Sequence, residues 1–308
     1  MAAFDELFLL RAFICIVESG SISAGARRLK IPQPTLSRYL RRLENHSGTA
    51  LIRRDTHQMS LTETGHRLLS DARTMLAMAD EAEHRLHEDQ SMLRGHLRLF
   101  STIDLGQFMV TRLISSFLQV NPDVTAELGY NNRPLHMIQE GCDAGIIVGD
   151  IADDSVVARP AGIVSRCLVA APSLVKTRPP VKEPSDLKSW PWLIISSPQF
   201  DGTNKFTLYS SDRSEYSLQV SPVFITEGAS SLREAARAGL GVVAISYWLI
   251  REDILSGRLI RVLPQWSAKA LSCHIVYPAQ RMLPARVRAF IDFATKYMTT
   301  ELRSSKVS

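Results

Sequence analysis

Four cysteines in 308 residues, Cys15, Cys142, Cys167 and Cys273, are too few and too scattered for a disulfide framework. They form no CxxC pair and have no histidine cluster beside them, so a structural zinc site is not expected. Reduced thiols are the default reading, with redox sensing by one of them as the alternative. No apolar run approaches the roughly 18 residues that would read as a membrane span, so no membrane partner is expected. The opening MAAFDELF has no basic segment leading into an apolar one, and does not read as a secretory signal. A cytoplasmic protein is the expectation. GxSxG, HExxH, a Walker glycine loop and GxGxxG are all missing from any supporting context. No catalytic residue, metal or cofactor is therefore expected, and the chain does not read as an enzyme. His84 and His87 have metal-compatible spacing, but beside Glu83 and Glu88 an exposed helix face is the plainer reading.

What is present is an ordinary globular composition, with 45% hydrophobic and 22% charged residues, in a chain long enough for about two domains. The formal net charge of +5 is mild, but it is concentrated. Arg27, Arg28, Lys30, Arg38, Arg41, Arg42, Arg53 and Arg54 fall between positions 27 and 54, opposed only by Glu44.

The stretch GSISAGARRLKIPQPTLSRYLRRLE, from Gly20 to Glu44, explains that concentration. Ala26 and Leu29 share one helical face. After a break with two prolines, Leu36, Leu40 and Leu43 recur as an apolar stripe on a second helix. Gln33, Pro34, Thr35, Ser37, Arg38, Arg41 and Arg42 are left for the opposite side. Guanidinium, hydroxyl and amide groups are those that meet phosphate oxygens and base edges in a major groove. Two short helices with a basic second face read as a helix-turn-helix; a hairpin with a merely solvated face is the alternative. A first helix from about Asp5 to Glu18, with Leu7, Leu10, Phe13, Ile14 and Val17 inward, would pack on it. Gly20 ends that helix, and Ser21 or Ser23 caps the next. Leu51-Ile52 and Met59-Leu61, around the polar turn Asp55 to Gln58, read as a small wing with Arg53 and Arg54 at its edge. Thr62 to Asp89 reads as one long helix. Gly65, Leu68, Ala72, Met75, Ala79, Ala82 and Leu86 step by threes and fours along it. A second copy of the chain is the natural partner for that seam; packing on the protein's own C-terminal half is the alternative.

Leu10, Phe13, Val17-Glu18, Gly20-Ser21, Ala26, Leu29, Gln33-Pro34, Ser37-Arg38, Leu43-Glu44, Gly48, Leu51, Arg54 and Leu61-Thr62-Glu63 with Gly65 together resemble the LysR-type transcriptional regulators. The resemblance covers the first 65 or so residues with rigid spacing, and more weakly the rest. Pro32 departs from a common capping serine, Ser47 from a core leucine and Ile52 from a phenylalanine. The resemblance implies Gln33, Pro34, Ser37 and Arg38 at double-stranded DNA, with the wing at Arg54 beside it, and Ser23, Thr35, Arg41, Arg42 and Arg53 are further DNA-contact candidates. Dimers are expected through the seam residues Leu68, Ala72, Met75, Ala79, Ala82 and Leu86; the resemblance implies tetramers as well, and RNA polymerase is a further candidate partner.

From about Leu93 strands and helices alternate, which argues for parallel α/β sheets. Strands are expected at Leu97–Leu99, Val124–Leu128, Ala144–Val148, Cys167–Ala171, Trp192–Ile195, Leu218–Val220, Val242–Ile245 and Leu271–Tyr277. Helices are expected at Phe108–Val120, Leu135–Glu140, Ser230–Ala238 and Pro284–Tyr297. The resemblance implies an α/β fold overall: an all-α winged helix-turn-helix (1–61), a linker helix (62–90), a periplasmic-binding-protein-like domain (93–300) and a tail (301–308). Lobe I would take 93–166 and 271–300, and lobe II 167–270, with crossings near Val164–Val169 and Ala268–His274. Ligands of open α/β sheets sit at strand ends near helix N-termini. Ser101, Thr102, Ser196, Ser197, Thr226 and Gly228 qualify for a small-molecule effector such as a carboxylate or polar metabolite, though serine and threonine at helix starts also serve as plain caps. Glu227 would repel an anion there. Ile147 stands where family members often carry an arginine. Two further readings remain from the sequence: a two-lobed ligand-binding or enzymatic domain with incidental N-terminal helices, and an architectural DNA-binding protein without effector.

Overall fold

The structure is a computed structural model and describes residues 3–54, 59–86, 93–132, 141–151, 155–196, 204–212, 214–279 and 283–304. It begins with α1 (Ala3–Glu18), α2 (Ile22–Leu29) and α3 (Gln33–Ser47). A two-stranded wing follows, β1 (Ile52–Arg54) antiparallel to β2 (Met59–Leu61). Its turn, residues 55–58, lies outside the described residues. Phe13, Ile16, Leu36 and Leu51 are fully enclosed in this head, with Leu69 of the next helix closing the cluster. That helix is α4 (Glu63–Leu86).

Gly20 ends α1 at φ 68°, a left-handed conformation that costs a residue without Cβ least. Ser21 then caps α2, its hydroxyl accepting the Ala24 N–H at 3.1 Å. α2 ends less conventionally, on Lys30 at φ 55°. Two N–H to C=O bonds hold that turn, Lys30 to Arg27 at 3.2 Å and Ile31 to Ala26 at 3.1 Å.

The larger part of the chain is built on one eleven-stranded mixed sheet. β3 (Gly95–Ser101) pairs in parallel with β4 (Val124–Tyr130) and β5 (Ala144–Val148). Between β3 and β4 the chain is helical through α5 (Ile103–Leu105), a π-helical turn (Gly106–Val110) and α6 (Thr111–Val120). The helix expected from Phe108 thus starts five residues earlier, at Ile103, because Leu105 and Met109 are buried against the sheet. β6 (Val156–Ala170) leads through α7 (Pro172–Lys176) and a 3-10 turn (Pro184–Ser189) to β7 (Trp192–Ile195). The antiparallel hairpin β8 (Lys205–Ser210) and β9 (Glu215–Gln219) follows, then β10 (Pro222–Thr226), α8 (Ala229–Arg237) and β11 (Val242–Ser246). The chain closes with α9 (Tyr247–Leu255), β12 (Ile260–Arg261), β13 (Trp266–Pro278) and α10 (Ala285–Ser304). The short helix expected over Leu135–Glu140 lies outside the described residues.

Two lobes arise because β6 and β13, 15 and 13 residues long, run antiparallel to each other across both. The reading from sequence expected separate strands beginning at Cys167 and Leu271. The strands instead continue through the crossing, where their register slips between Ala268 and Leu271. One core, around Phe117, Ile146, Ile275 and Phe290, fills lobe I. Lobe II has a core on each sheet face, one around Trp192 and Leu208 and one around Val169, Leu232 and Ile250. Among the described residues no helix is long and apolar enough to cross a membrane.

Candidate nucleic-acid interface and inter-lobe cleft

α3 turns Leu36 and Leu40 fully inward, 0% and 1% exposed, with Leu43 half-buried behind them. This settles the opposite face. Gln33, Pro34, Arg38 and Arg41 are exposed, and Thr35, Ser37 and Arg42 are half-buried on its flanks. Pro32 caps α3 without a side-chain hydrogen bond, and no acidic residue stands in its first turn. The positive end of the helix is thereby left available to an anion. Ser23 lies exposed in the first turn of α2, the helix before it. Gly25 lets α2 approach α1: a Cβ there would meet the Ile16 Cα at 3.2 Å and the Leu36 side chain at 3.3 Å.

Glu44, the one acid among the basic residues, faces away from them. Its Oε1 accepts the N–H groups of Leu51 at 3.0 Å and Ile52 at 3.4 Å, tying α3 to the base of the wing. The arginine face therefore keeps its charge. Arg53 is exposed on the wing strand, and the Arg54 backbone pairs with Met59. Thr62 joins wing to linker helix. Its hydroxyl donates to the Ala50 carbonyl at 2.8 Å and accepts from the Gly65 N–H at 3.0 Å. A Cβ on Gly65 would lie 2.1 Å from the Leu51 carbonyl oxygen, so only glycine fits this joint.

The seam residues of α4 divide. Gly65 and Ala72 are buried and Leu68 is half-buried against the protein's own head. Further along, Met75 is 51% and Met78 41% exposed, and Ala79 is half-buried. The side chains of Ala82, His84 and Leu86 lie outside the described set, as do residues 87–90. Glu18, at the end of α1, ties head to lobe I. Its carboxylate meets Arg28 of α2 at 3.1 Å, Arg73 of α4 at 3.6 Å and Arg98 of β3. Burial, then the neighbouring Arg98, pushes the Arg73 guanidinium below its ordinary pKa, with Glu18 opposing both.

The cleft gathers the other candidates from distant parts of the chain. Ser101 ends β3 fully buried, its hydroxyl donating to the Ile146 carbonyl at 2.7 Å. Thr102, half-buried, begins α5. On lobe II, exposed Ser196 donates its N–H to the Thr226 carbonyl at 2.7 Å, which aligns the ends of β7 and β10. The Thr226 hydroxyl accepts the Gly228 N–H at 3.3 Å, and Gly228 precedes α8. Ser197 lies outside the described residues. The sequence reading missed Asp104 and Asn132, which reach across from lobe I. Asp104 accepts the N–H groups of Ala229 and Ser230 at 2.7 Å each and the Ser230 hydroxyl at 2.5 Å. Asn132 accepts the Ile103 N–H at 3.0 Å and donates to the Glu227 carbonyl at 2.7 Å. The only local hint was an acid two positions after Thr102, which a helix start accounts for equally well.

α8 itself is firmly held. Asp253 of α9 is 0% exposed and meets Arg233 at 2.5 Å, Arg237 at 2.5 Å and Arg258 at 2.9 Å. Burial pushes its carboxyl up, but hydrogen bonds from Arg233 and Arg237 outweigh this and hold it below the usual carboxylate range.

Comparison with known proteins agrees with both halves of this description. Residues 7–66 match the bacterial regulatory helix-turn-helix protein, lysR family, and residues 90–299 match the LysR substrate binding domain. The chain is 28% identical over 296 residues to the uncharacterized HTH-type transcriptional regulator YhjC of Escherichia coli K12, covering 96% of this chain and 98% of that one. It is 27% identical over 292 residues to the HTH-type transcriptional regulator PtxR of Pseudomonas aeruginosa, covering 95% and 93%. Among solved structures, full-length AphB, a Vibrio cholerae virulence activator, is 25% identical with TM-score 0.60, covering 95% of this chain and 99% of that one. CrgA of Neisseria meningitidis, also 25% identical, gives TM-score 0.59 and covers 94% and 98%. Because the two family matches take in the head as well as the lobes, the chain belongs to the LysR family of DNA-binding transcriptional regulators, whose effector-binding domain is carried on the same polypeptide.

Proposed function

We propose that each protomer reads one half of an interrupted palindromic promoter site by laying α3 in the major groove, and that a small molecule bound between the lobes alters how paired heads are spaced. The observation that carries this is the α3 surface, with Leu36 and Leu40 inward and the basic, polar side outward. Arg38 and Gln33 are the base-reading candidates, with Pro34 and Thr35 beside them. Ser37, Arg41, Arg42 and Arg53 serve the phosphates, with Arg54 and Ser23 at the periphery. A single α3 reads one half-site, so two copies are required for a palindrome. The outer half of α4 suits that pairing, since Met75 and Met78 stand exposed and Ala79, Ala82 and Leu86 continue the seam. A homodimer or homotetramer in the cytoplasm, without catalytic activity of its own, and with RNA polymerase as a further contact, completes the proposal.

Thr102, Ser196, Ser197, Thr226 and Gly228 are the effector-contact candidates. Ser101 acts beneath them, because its hydroxyl is committed to Ile146. An effector shifts the assembly only as far as it prefers one lobe arrangement over another. A gel-shift titration with the chain's own upstream DNA tests the reading. Retention in the nanomolar range that weakens steeply with added salt is expected. No retention at low ionic strength would reject it.

A further inference from the structure

Helix α8 begins without a side-chain cap from its own N-cap residue, Gly228. Its first free amides, on Ala229 and Ser230, face lobe I and are met by a carboxylate from 125 and 126 residues away, that of Asp104. Both oxygens are used, and the Ser230 hydroxyl adds a third bond to Oδ1 at 2.5 Å. Charged acceptors on backbone amides at a helix N-terminus form short, strong bonds, and this is the place where such a helix would seat a ligand's anion. Asn132 supplies a second tie beside it, between Ile103 and Glu227. Both ties connect lobe I to residues 227–230 of lobe II, in addition to the paired β6 and β13 strands that form the crossing.

We propose that Asp104 is a tethered substitute for an anionic ligand: it fills the anion seat of α8, holds the lobes together without a ligand, and turns small carboxylates away from that seat. Tethering gives this carboxylate an effective concentration that a free anion reaches only at millimolar levels. The effector class follows. A ligand entering here meets the Asp104 carboxylate, so it must present hydrogen-bond donors, an ammonium or hydroxyl groups, toward Asp104. This inference refines the effector site proposed above, but the latch itself does not depend on the identity of any effector.

The experiment compares the full-length protein with its Asp104→Ala variant, using small-angle scattering for lobe closure. Thermal melting in sodium acetate, sodium chloride and methylammonium chloride at matched ionic strength supplies the second readout. Wild type is expected to melt alike in acetate and chloride. Asp104→Ala is expected to scatter as a more open particle, to melt lower, and to be restored by acetate but not by the other salts. Its apparent acetate affinity should be at least about tenfold tighter than that of wild type, the step that separates an open seat from a filled one. A merely structural clasp would lower the melting point but give no acetate response, and that result overturns the proposal. So does unchanged scattering. Should Asp104→Ala not fold, Asp104→Ser, which keeps a polar side chain but is too short to reach α8, carries the same two readouts. DNA retention measured on the same samples separates the readings. A variant that binds DNA normally with unaltered scattering defeats the latch alone, and a wild type that ignores DNA defeats the regulator.

Discussion

The DNA-reading head and the inter-lobe cleft are built on opposite principles. The head's proposed reading groups, Gln33 to Arg42, sit within ten residues of one helix, and the burial of Leu36 and Leu40 aims all of them at once. The cleft's groups come from chain ends far apart: Asp104 meets Ala229 across 125 residues, and Asn132 meets Glu227 across 95. A surface carried by one element inherits the period of that element. A surface assembled from several depends on where the sheet places their ends. The head can therefore keep one shape, while the cleft depends on a few polar bonds between remote segments.

The contrast can be broken at the lobes first. Asp253→Ala leaves Arg233, Arg237 and Arg258 around an empty site, and removing one partner of a buried ion pair costs about 3–5 kcal/mol. Urea unfolding followed by fluorescence of the lobe II tryptophans should show that loss, while DNA retention by the head persists below the new transition. The same carboxyl makes a pH prediction. Because Asp253 is depressed in the fold, its contribution is present above the unfolded carboxylate value of about 3.9 and fades as pH falls through the lower folded value. Melting curves taken from neutral to acid should fall in that window, and Asp253→Asn should flatten the fall.

In the head, Gly65→Ala forces a Cβ against the Leu51 carbonyl and should cost about 1–3 kcal/mol, shifting the head's unfolding but not that of the lobes. Arg38→Ala should weaken specific binding by a similar 1–3 kcal/mol, roughly, and relax base preference in footprinting; unchanged footprints would remove Arg38 from base readout. The smallest effect belongs to Arg41→Ala, which should lower affinity evenly across sequences and reduce the salt slope by about 1. These substitutions together show whether damage to one region stays there.

Much of the fold was legible because it is local. The wing, the three head helices, the cap at Thr62 and the long helix all follow from periodicity and turn chemistry within a few residues. The absence of a serine cap at Pro32 was also readable, and α3 begins there without one. α9, the β8 strand and β10 were not anticipated. Tyr247–Leu255 carries apolar residues on several sides because it is packed between sheet and α8, so it shows no clean helical stripe. β6 and β13 were read too short, since Arg166 and Lys269 interrupt the apolar runs where the lobes cross. Arg166 is nonetheless buried there, donating to the Ala244 carbonyl at 3.1 Å.

By itself the sequence determined which face of α3 is apolar, where the positive charge is concentrated, and that strands alternate with helices after the linker. These depend on side-chain identity and on periods of two or 3.6 residues, which hold wherever the element ends up. Only the tertiary structure decided that Glu44 turns from the arginines to the wing, that Met75 and Met78 stay outside while Ala72 does not, and that Asp104 meets the start of α8. Each of those outcomes is a choice of hydrogen-bond or packing partner from a remote segment. Closing the intervening loops to make that choice depends on the whole sheet forming, and leaves no trace in the neighbouring residues.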